Sequence, residues 1–311
     1  MIVTYRSDLI PALADLYAEF AAGIPGAIPV AGEHWGTTFA RLGERSLEDI
    51  IISAHPTLDG PPSPAAFCWF PSRLDCGRTF MRGPYLSPGD PNLEAVLAES
   101  ISEAVIRASR FGSELLEARS LHPGWSRAYK QAGFTNPGSY ERWRLFPLRG
   151  AIELADVPVD GEIRQWSSSN DLDSLMPLFE EGFANDWDYV RPDRANWLEV
   201  INDDSFDPRL LLLAFESGKP AGYAFGRTIP NAPREALQTA YLISIDVVLG
   251  ARKKGWGKAL LSRWLRACYG AGVRAIELDV EANNAVAKHL YARFGFKHQT
   301  TEEVWWYRFQ R

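Results

Sequence analysis

The feature that most limits how this chain can fold is that it repeats itself. Ala128-Tyr129-Lys130-Gln131-Ala132-Gly133-Phe134 stands near the middle and Leu290-Tyr291-Ala292-Arg293-Phe294-Gly295-Phe296 near the end. Both read Tyr-x-x-x-Gly-Phe after a small or apolar residue. The two halves also open alike. Val3-Thr4-Tyr5-Arg6 reads as a short strand, after which Asp8 is expected to cap an apolar-periodic helix running to Phe20. Glu162-Ile163-Arg164-Gln165-Trp166 reads as a second such strand, and Asn170 or Asp171 precedes a helix to Phe183. A repeat of this length is a duplicated domain rather than a solenoid unit, because each copy is large enough to bury its own core. The 311 residues accommodate two copies. The stretch Phe146 to Asp160, with Pro147, Gly150 and Pro158 and no helical periodicity, marks the join. Domains are expected over 1–150 and 151–311.

Composition narrows the class. Apolar residues make up 46% and charged residues 23%, enough for two packed cores and too few charges for disorder. A net charge of -6 without a long Lys/Arg run argues against nucleic acid as the main partner. The odd set Cys68, Cys76 and Cys268 has no C-x-x-C spacing, so free thiols are expected rather than a disulfide framework or a metal site. No charged-then-apolar leader opens the chain and no apolar run approaches ~20 residues, so a cytoplasmic protein with no membrane partner is expected.

The second half reads as strands over 209–215, 221–229 and 239–248, a helix over 256–269, a strand over 275–280, a helix over 284–294 and a last strand over 304–309. This is a mixed α/β (α+β) pattern. Its most informative segment is Ile245-Asp246-Val247-Val248-Leu249-Gly250-Ala251-Arg252-Lys253-Lys254-Gly255-Trp256-Gly257-Lys258. An apolar strand enters a glycine-containing loop that opens a helix. Gly255 and Gly257 remove side chains where a ligand would meet the backbone, and free amides at the helix start favour a pyrophosphate. Arg252, Lys253, Lys254 and Lys258 add positive charge. Two rival phosphate motifs fit less well. Gly250 and Gly255 have the spacing of a Walker A loop, but Trp256 stands where its lysine belongs, and no third glycine completes a dinucleotide fingerprint at Leu260.

Downstream comes Val280-Glu281-Ala282-Asn283-Asn284-Ala285-Val286-Ala287-Lys288-His289-Leu290-Tyr291, then Gly295-Phe296. The order Arg-x-x-Gly-x-Gly, strand, Asn-x-x-Ala-x-x-Leu-Tyr, Gly-Phe resembles the GNAT superfamily of acyl-CoA N-acyltransferases. Val280 to Phe296 is also similar to the mycothiol synthase family, whose members carry two tandem GNAT domains. The resemblance covers about residues 160–311 well and 1–150 faintly. It implies two GNAT-type domains, the first degenerate. It further implies that backbone groups near a bulge at Ile245, Val247 and Val248 pair with the pantetheine arm of acetyl-CoA. Amides from Arg252 to Lys258 would hold the pyrophosphate, and Asn284 and Ala287 would meet the pantetheine region. Tyr291 would stand near the sulfur as general acid. No metal is implied.

The general base is less clear. The related domains carry an acid early in the strand before the loop, and the matching residue here is Tyr241. Asp246 is the candidate, directly or through water; a buried, hydrogen-bonded strand-end carboxylate is the alternative reading. Glu277, Asp279 and Glu281 alternate on the next strand, as a solvated polar face would. His289 is expected on the surface. Trp256 could pack on the adenine or on the protein, one of Trp305 and Trp306 belongs to a core, and Trp187, Tyr189 and Trp197 could line an acceptor pocket or a core. In the first half the loop region reads Gly83-Pro84-Tyr85-Leu86-Ser87-Pro88-Gly89-Asp90-Pro91-Asn92. There Pro88 and Pro91 remove amide donors and Asp90 opposes a phosphate. His34 and Trp35 could reach the acceptor or simply pack.

The expected activity is transfer of an acetyl group from acetyl-CoA to a primary amine on a small metabolite, by a monomer or homodimer. A protein or peptide N-acetyltransferase and a non-catalytic acyl-CoA sensor are the alternatives.

Overall fold

The structure is a computed structural model that describes residues 1–24, 32–40, 42–57, 60–74, 77–148, 160–184, 191–203, 206–229 and 238–310. Two compact units divide it: Met1–Glu141 together with Gln299–Arg311, and Arg142–His298. The expected cut near residue 150 differs from this in two ways. The chain leaves the first unit inside a strand, before the Pro/Gly-rich stretch, and its last segment returns to the first unit. Loop chemistry marks where regular structure stops, which need not be where the chain changes cores. Most of the expected join, 149–159, lies outside the described residues.

The first unit contains β1 (Ile2–Val3), α1 (Ile10–Ala22), α2 (Gly32–Ala40), α3 (Ser46–Asp49), β2 (Ile50–His55), β3 (Ser63–Leu74), β4 (Arg78–Leu86), α4 (Leu93–Arg110), β5 (Leu115–Ser120), α5 (Ser126–Gln131) and most of β6 (Thr135–Leu145). Its sheet runs β1-β2-β3-β4-β5 and continues onto the final strand, β12 (Lys297–Arg308). The β4–β5 pair is parallel, and β12 runs antiparallel to β5 from Glu303 opposite Ser120 to Arg308 opposite Leu115. Trp305 of that strand is 1% exposed and stacks on Tyr129 of α5 at 5.5 Å. Trp305 is therefore the core member of the tryptophan pair. Asp8 does not cap α1: it lies in a preceding 3-10 turn and pairs with Arg6, and Pro11 opens the helix instead.

The second unit contains β7 (Glu162–Gln165), α6 (Leu172–Phe183), α7 (Arg194–Asn202), β8 (Leu211–Glu216), β9 (Lys219–Ile229), β10 (Thr239–Val247), α8 (Trp256–Gly270), β11 (Ala275–Glu281) and α9 (Ala285–Arg293). Its strands run β11-β10-β9-β8-β7, with β10 and β11 parallel and the others antiparallel. The unbroken apolar run of β8 follows from burial on both faces. Leu212 and Ala214 enter a core under α8, while Leu211 and Leu213 enter one under α6 and α7. Asp171 buries its carboxylate against Arg164 at 2.6 Å and the Ser167 amide at 2.8 Å, which holds it well below the usual carboxylate range and ties β7 to α6. The alternating acids of β11 are not merely solvated: Asp279 accepts a paired hydrogen bond from Arg142, and Glu277 lies 3.8 Å from Arg144. Cys68 and Cys268 are buried free thiols; Cys76 lies outside the described residues. No helix among the described residues is long and apolar enough to cross a membrane.

Candidate active site

β9 pairs with β10 along its length, to Gly222 opposite Val247, with one shift in register between Leu242 and Ser244 that leaves Ile243 as the extra residue. The bulge therefore sits at Ile243, upstream of the expected position at Ile245 and Val247. The parallel pairing of β10 with β11 begins at Thr239 and stops at Leu242 opposite Leu278. Beyond that point the two strands separate, and the β10 edge over residues 243–247 faces a gap. Gly222 permits the close β9–β10 approach beside it, since a Cβ there would stand 2.5 Å from the Asp246 carbonyl oxygen.

The loop after β10 turns through Lys253 at φ 63° and Gly255 at φ 94°, left-handed values that bring the chain sharply into α8. No described group accepts a hydrogen bond from the amides of residues 253–258. No acidic residue lies in the first turn of α8 either. Consecutive free amides at a helix start form an anion cradle. The side chains divide differently from the sequence expectation. Arg252 donates to the Val247 carbonyl at 2.7 Å and reaches Asp246 at 3.4 Å, so its guanidinium secures the end of β10. Lys254 pairs with Glu216 at 2.7 Å. Trp256 is 1% exposed and its indole donates to Glu216 at 3.2 Å, so it packs on the protein rather than on an adenine. Among the described residues, Lys253 and Lys258 have no ion-pair partner.

Three elements converge at Gly257. A Cβ there would meet Leu290 of α9 at 3.8 Å and Val247 of β10 at 3.9 Å, both ordinary contacts. Ile245, Val248, Ala287 and Leu290 pack on the buried cluster that holds Val247 and Tyr291. Asn284 is the N-cap of α9: its side-chain oxygen accepts from the Ala287 amide at 3.0 Å. Tyr291 is 6% exposed, with its ring against Phe296 at 5.6 Å. Burial pushes its phenol well above the ordinary tyrosine value, so it stays protonated. No described group hydrogen bonds its hydroxyl. His289 is exposed, as expected.

Asp246 lies on the opposite face of β10, under α6. A Cβ at Gly182 would stand 2.6 Å from Asp246 Oδ2, so the glycine lets the helix cover this carboxylate without displacing it. That Oδ2 is buried without a hydrogen-bond partner. Desolvation raises the Asp246 carboxyl above its ordinary value; Arg252 opposes the shift and the nearby Glu181 adds to it. The Glu181 carboxylate is itself held, accepting from the Leu249 amide at 2.9 Å. Since the raised value favours the neutral form in the fold, the stability Asp246 contributes is complete below pH ~4 and lost as pH rises through its folded value. Asp246→Asn should therefore melt higher than wild type at pH 8, with the gap closing by pH 4. Equal differences at both pH values in paired thermal melts would refute this.

Beside the bulge opens a cleft of about 460 Å³, bounded by α6, α7, β9 and Ile243. Trp197, 4% exposed, belongs both to its wall and to a core. Trp187 and Tyr189 lie outside the described residues, as does the side chain of His34; Trp35 is packed in the first unit at 5% exposure.

In the first unit the corresponding positions are filled by the chain itself. β4 and β5 pair in parallel as far as Arg82 opposite Arg119, and then Tyr129, fully buried, donates its hydroxyl to the Gly83 carbonyl at 3.0 Å. At the start of α4 the Asp90 carboxylate accepts from the Asn92 amide at 2.7 Å and lies 2.7 Å from His55. An internal anion thus occupies the helix start.

Comparison with known proteins identifies the family. The model of the Acetyltransferase (GNAT) family matches residues 172–296. A mycothiol acetyltransferase of Acidimicrobium ferrooxidans is 31% identical over 67% of this chain and 69% of its own. The chain belongs to the GNAT acetyltransferase family. Another GNAT relative, the mycothiol acetyltransferase of Clavibacter michiganensis subsp. michiganensis, is 28% identical over 66% of this chain, which spans only 62% of that protein's length. Two solved structures share the GNAT fold. A GCN5-related N-acetyltransferase from Sphaerobacter thermophilus has a TM-score of 0.76 at 19% identity, covering 99% of this chain and 95% of that one. A tandem GNAT protein from the clavulanic acid biosynthesis pathway has a TM-score of 0.67 at 15% identity, covering 99% and 98%.

Proposed function

We propose that this GNAT protein is an N-acetyltransferase that takes acetyl-CoA into its second unit and acetylates a primary amine on a small metabolite. The observation that carries the reading is the β10 edge that leaves β11 after Leu242 and leads into the amides of residues 253–258, from which no described group accepts a hydrogen bond. An extended amide-bearing arm can add to that edge as a strand would, and a pyrophosphate suits the amides. When bound, acetyl-CoA supplies an activated thioester.

The protein's own groups then position, deprotonate and protonate. Holding donor and acceptor together supplies much of the rate. Asp246, with its raised carboxyl and unpartnered Oδ2, accepts the proton of the attacking amine directly or through water. Tyr291 keeps its proton through the physiological range and donates a hydrogen bond to the leaving sulfur, whose basicity the same low-dielectric surroundings raise. The apolar cleft beside Ile243 favours a small acceptor over an extended peptide.

Titration with acetyl-CoA should give one site per chain, because Tyr129 and Asp90 fill the equivalent positions of the first unit. Two sites would show that the first unit is competent. No binding would end the proposal.

A further inference from the structure

We infer that the acceptor carries its amine on an aromatic body, and that the cleft between α6, α7 and β9 holds that body. This rests on the acetyltransferase reading above and specifies its acceptor. The wall is made of Phe179, Trp197, Val200, Phe206, Phe225 and Ile243. Several of these rings already touch: Phe179 meets Trp197 edge-on at 5.1 Å, Trp197 lies 6.0 Å from Phe225, and Phe206 lies 6.3 Å from Phe225. Val200 and Ile243 are each 39% exposed, so an apolar surface is presented to solvent on two sides of the opening.

The position of the cleft ties it to the chemistry. Ile243 is the bulged residue at which β10 leaves β11, and Phe179 lies one helical turn from Gly182, which covers Asp246. A body seated against Phe225 and Ile243 would present its amine toward the gap in the sheet.

The charges of the cleft do not compete with this assignment. Asn196 adds a neutral amide at the edge, and Glu199, Asp203 and Arg227 contribute two carboxylates and one guanidinium, which is no strong field of either sign. Discrimination falls to the apolar wall. A polyhydroxylated amine would lose water from several hydroxyls against rings whose one hydrogen-bonding group is the Trp197 indole N–H. An arylalkylamine would gain from removing its ring from water. The indole N–H of Trp197, buried without a hydrogen-bond partner, is the single polar group of this wall left unsatisfied.

The test compares 2-phenylethylamine and tryptamine with glucosamine and free lysine. It measures thiol release from acetyl-CoA, and separately calorimetric binding of each amine to the CoA-loaded protein. The aromatic amines should show a kcat/KM at least about tenfold higher. Val200→Asn, on an exposed turn of α7 away from the coenzyme loop, should remove that advantage through KM and leave acetyl-CoA affinity unchanged. Preference for glucosamine or lysine would overturn the acceptor class while leaving acetyl transfer standing. Binding of 2-phenylethylamine without thiol release from any amine would uphold the cleft and refute the transferase reading. Neither binding nor turnover with the aromatic amines would overturn the inference.

Discussion

Gly257→Glu is expected to abolish coenzyme binding while the protein stays folded. The residue lies in the first turn of α8, where no described group accepts from the amides of residues 253–258 and no acid is present. A carboxylate there would stand among the donors that a pyrophosphate needs. At about 4 Å and an effective dielectric near 20, one such like-charge contact is worth about 4 kcal/mol, on the order of a thousandfold in affinity. Gly257→Ala is the companion. Its Cβ would make only ordinary contacts with Leu290 and Val247, at 3.8 and 3.9 Å, so the fold has room for it. Calorimetric titration with acetyl-CoA should show heat lost for the glutamate variant and similar melting temperatures for both variants. Undiminished binding by Gly257→Glu would remove the loop from the site.

Tyr291→Phe should lower kcat by about a hundredfold or more, the range in which positioned proton donors contribute, with acetyl-CoA affinity nearly unchanged. The substitution isolates chemistry from packing. The ring that meets Phe296 at 5.6 Å is retained, and the hydroxyl has no described protein partner to lose. Single-turnover thiol release and donor titration on the same preparation would separate the two quantities. Equal loss of both would make Tyr291 a binding or packing residue.

The fold was legible where local chemistry determines it. The loop glycines, the Asn284 cap and the Gly295 stop at φ 88° each act over a few residues, so the strand–loop–helix and the final helix lie where the motif puts them. The bulge depends on pairing between strands, and Ile243 carries no residue-level sign of being the extra one. The destinations of Arg252, Lys254 and Trp256 were hidden for the same reason. Their partners Val247, Asp246 and Glu216 are set by tertiary approach, and a basic loop reads the same whether its charges meet a phosphate or a neighbour. Asp246 was visible as a carboxylate on the right strand. Its cover was not, because the glycine that allows it, Gly182, looks in sequence like an ordinary helix-end residue. The domain cut was misleading because prolines and glycines report loops, while the exchange of the last strand is a long-range pairing.

That exchange sets the order in which the protein can be completed. The strands β1 to β5 come early in the chain, yet the strand that borders β5, with the tryptophan that stacks on Tyr129, follows the whole of the second unit. During synthesis the first unit therefore keeps one edge of its sheet open until the second unit has been made. The loop that opens α8 is synthesised in that interval. Removing residues 299–311 would spare every residue of that loop and instead leave the first unit without its border strand.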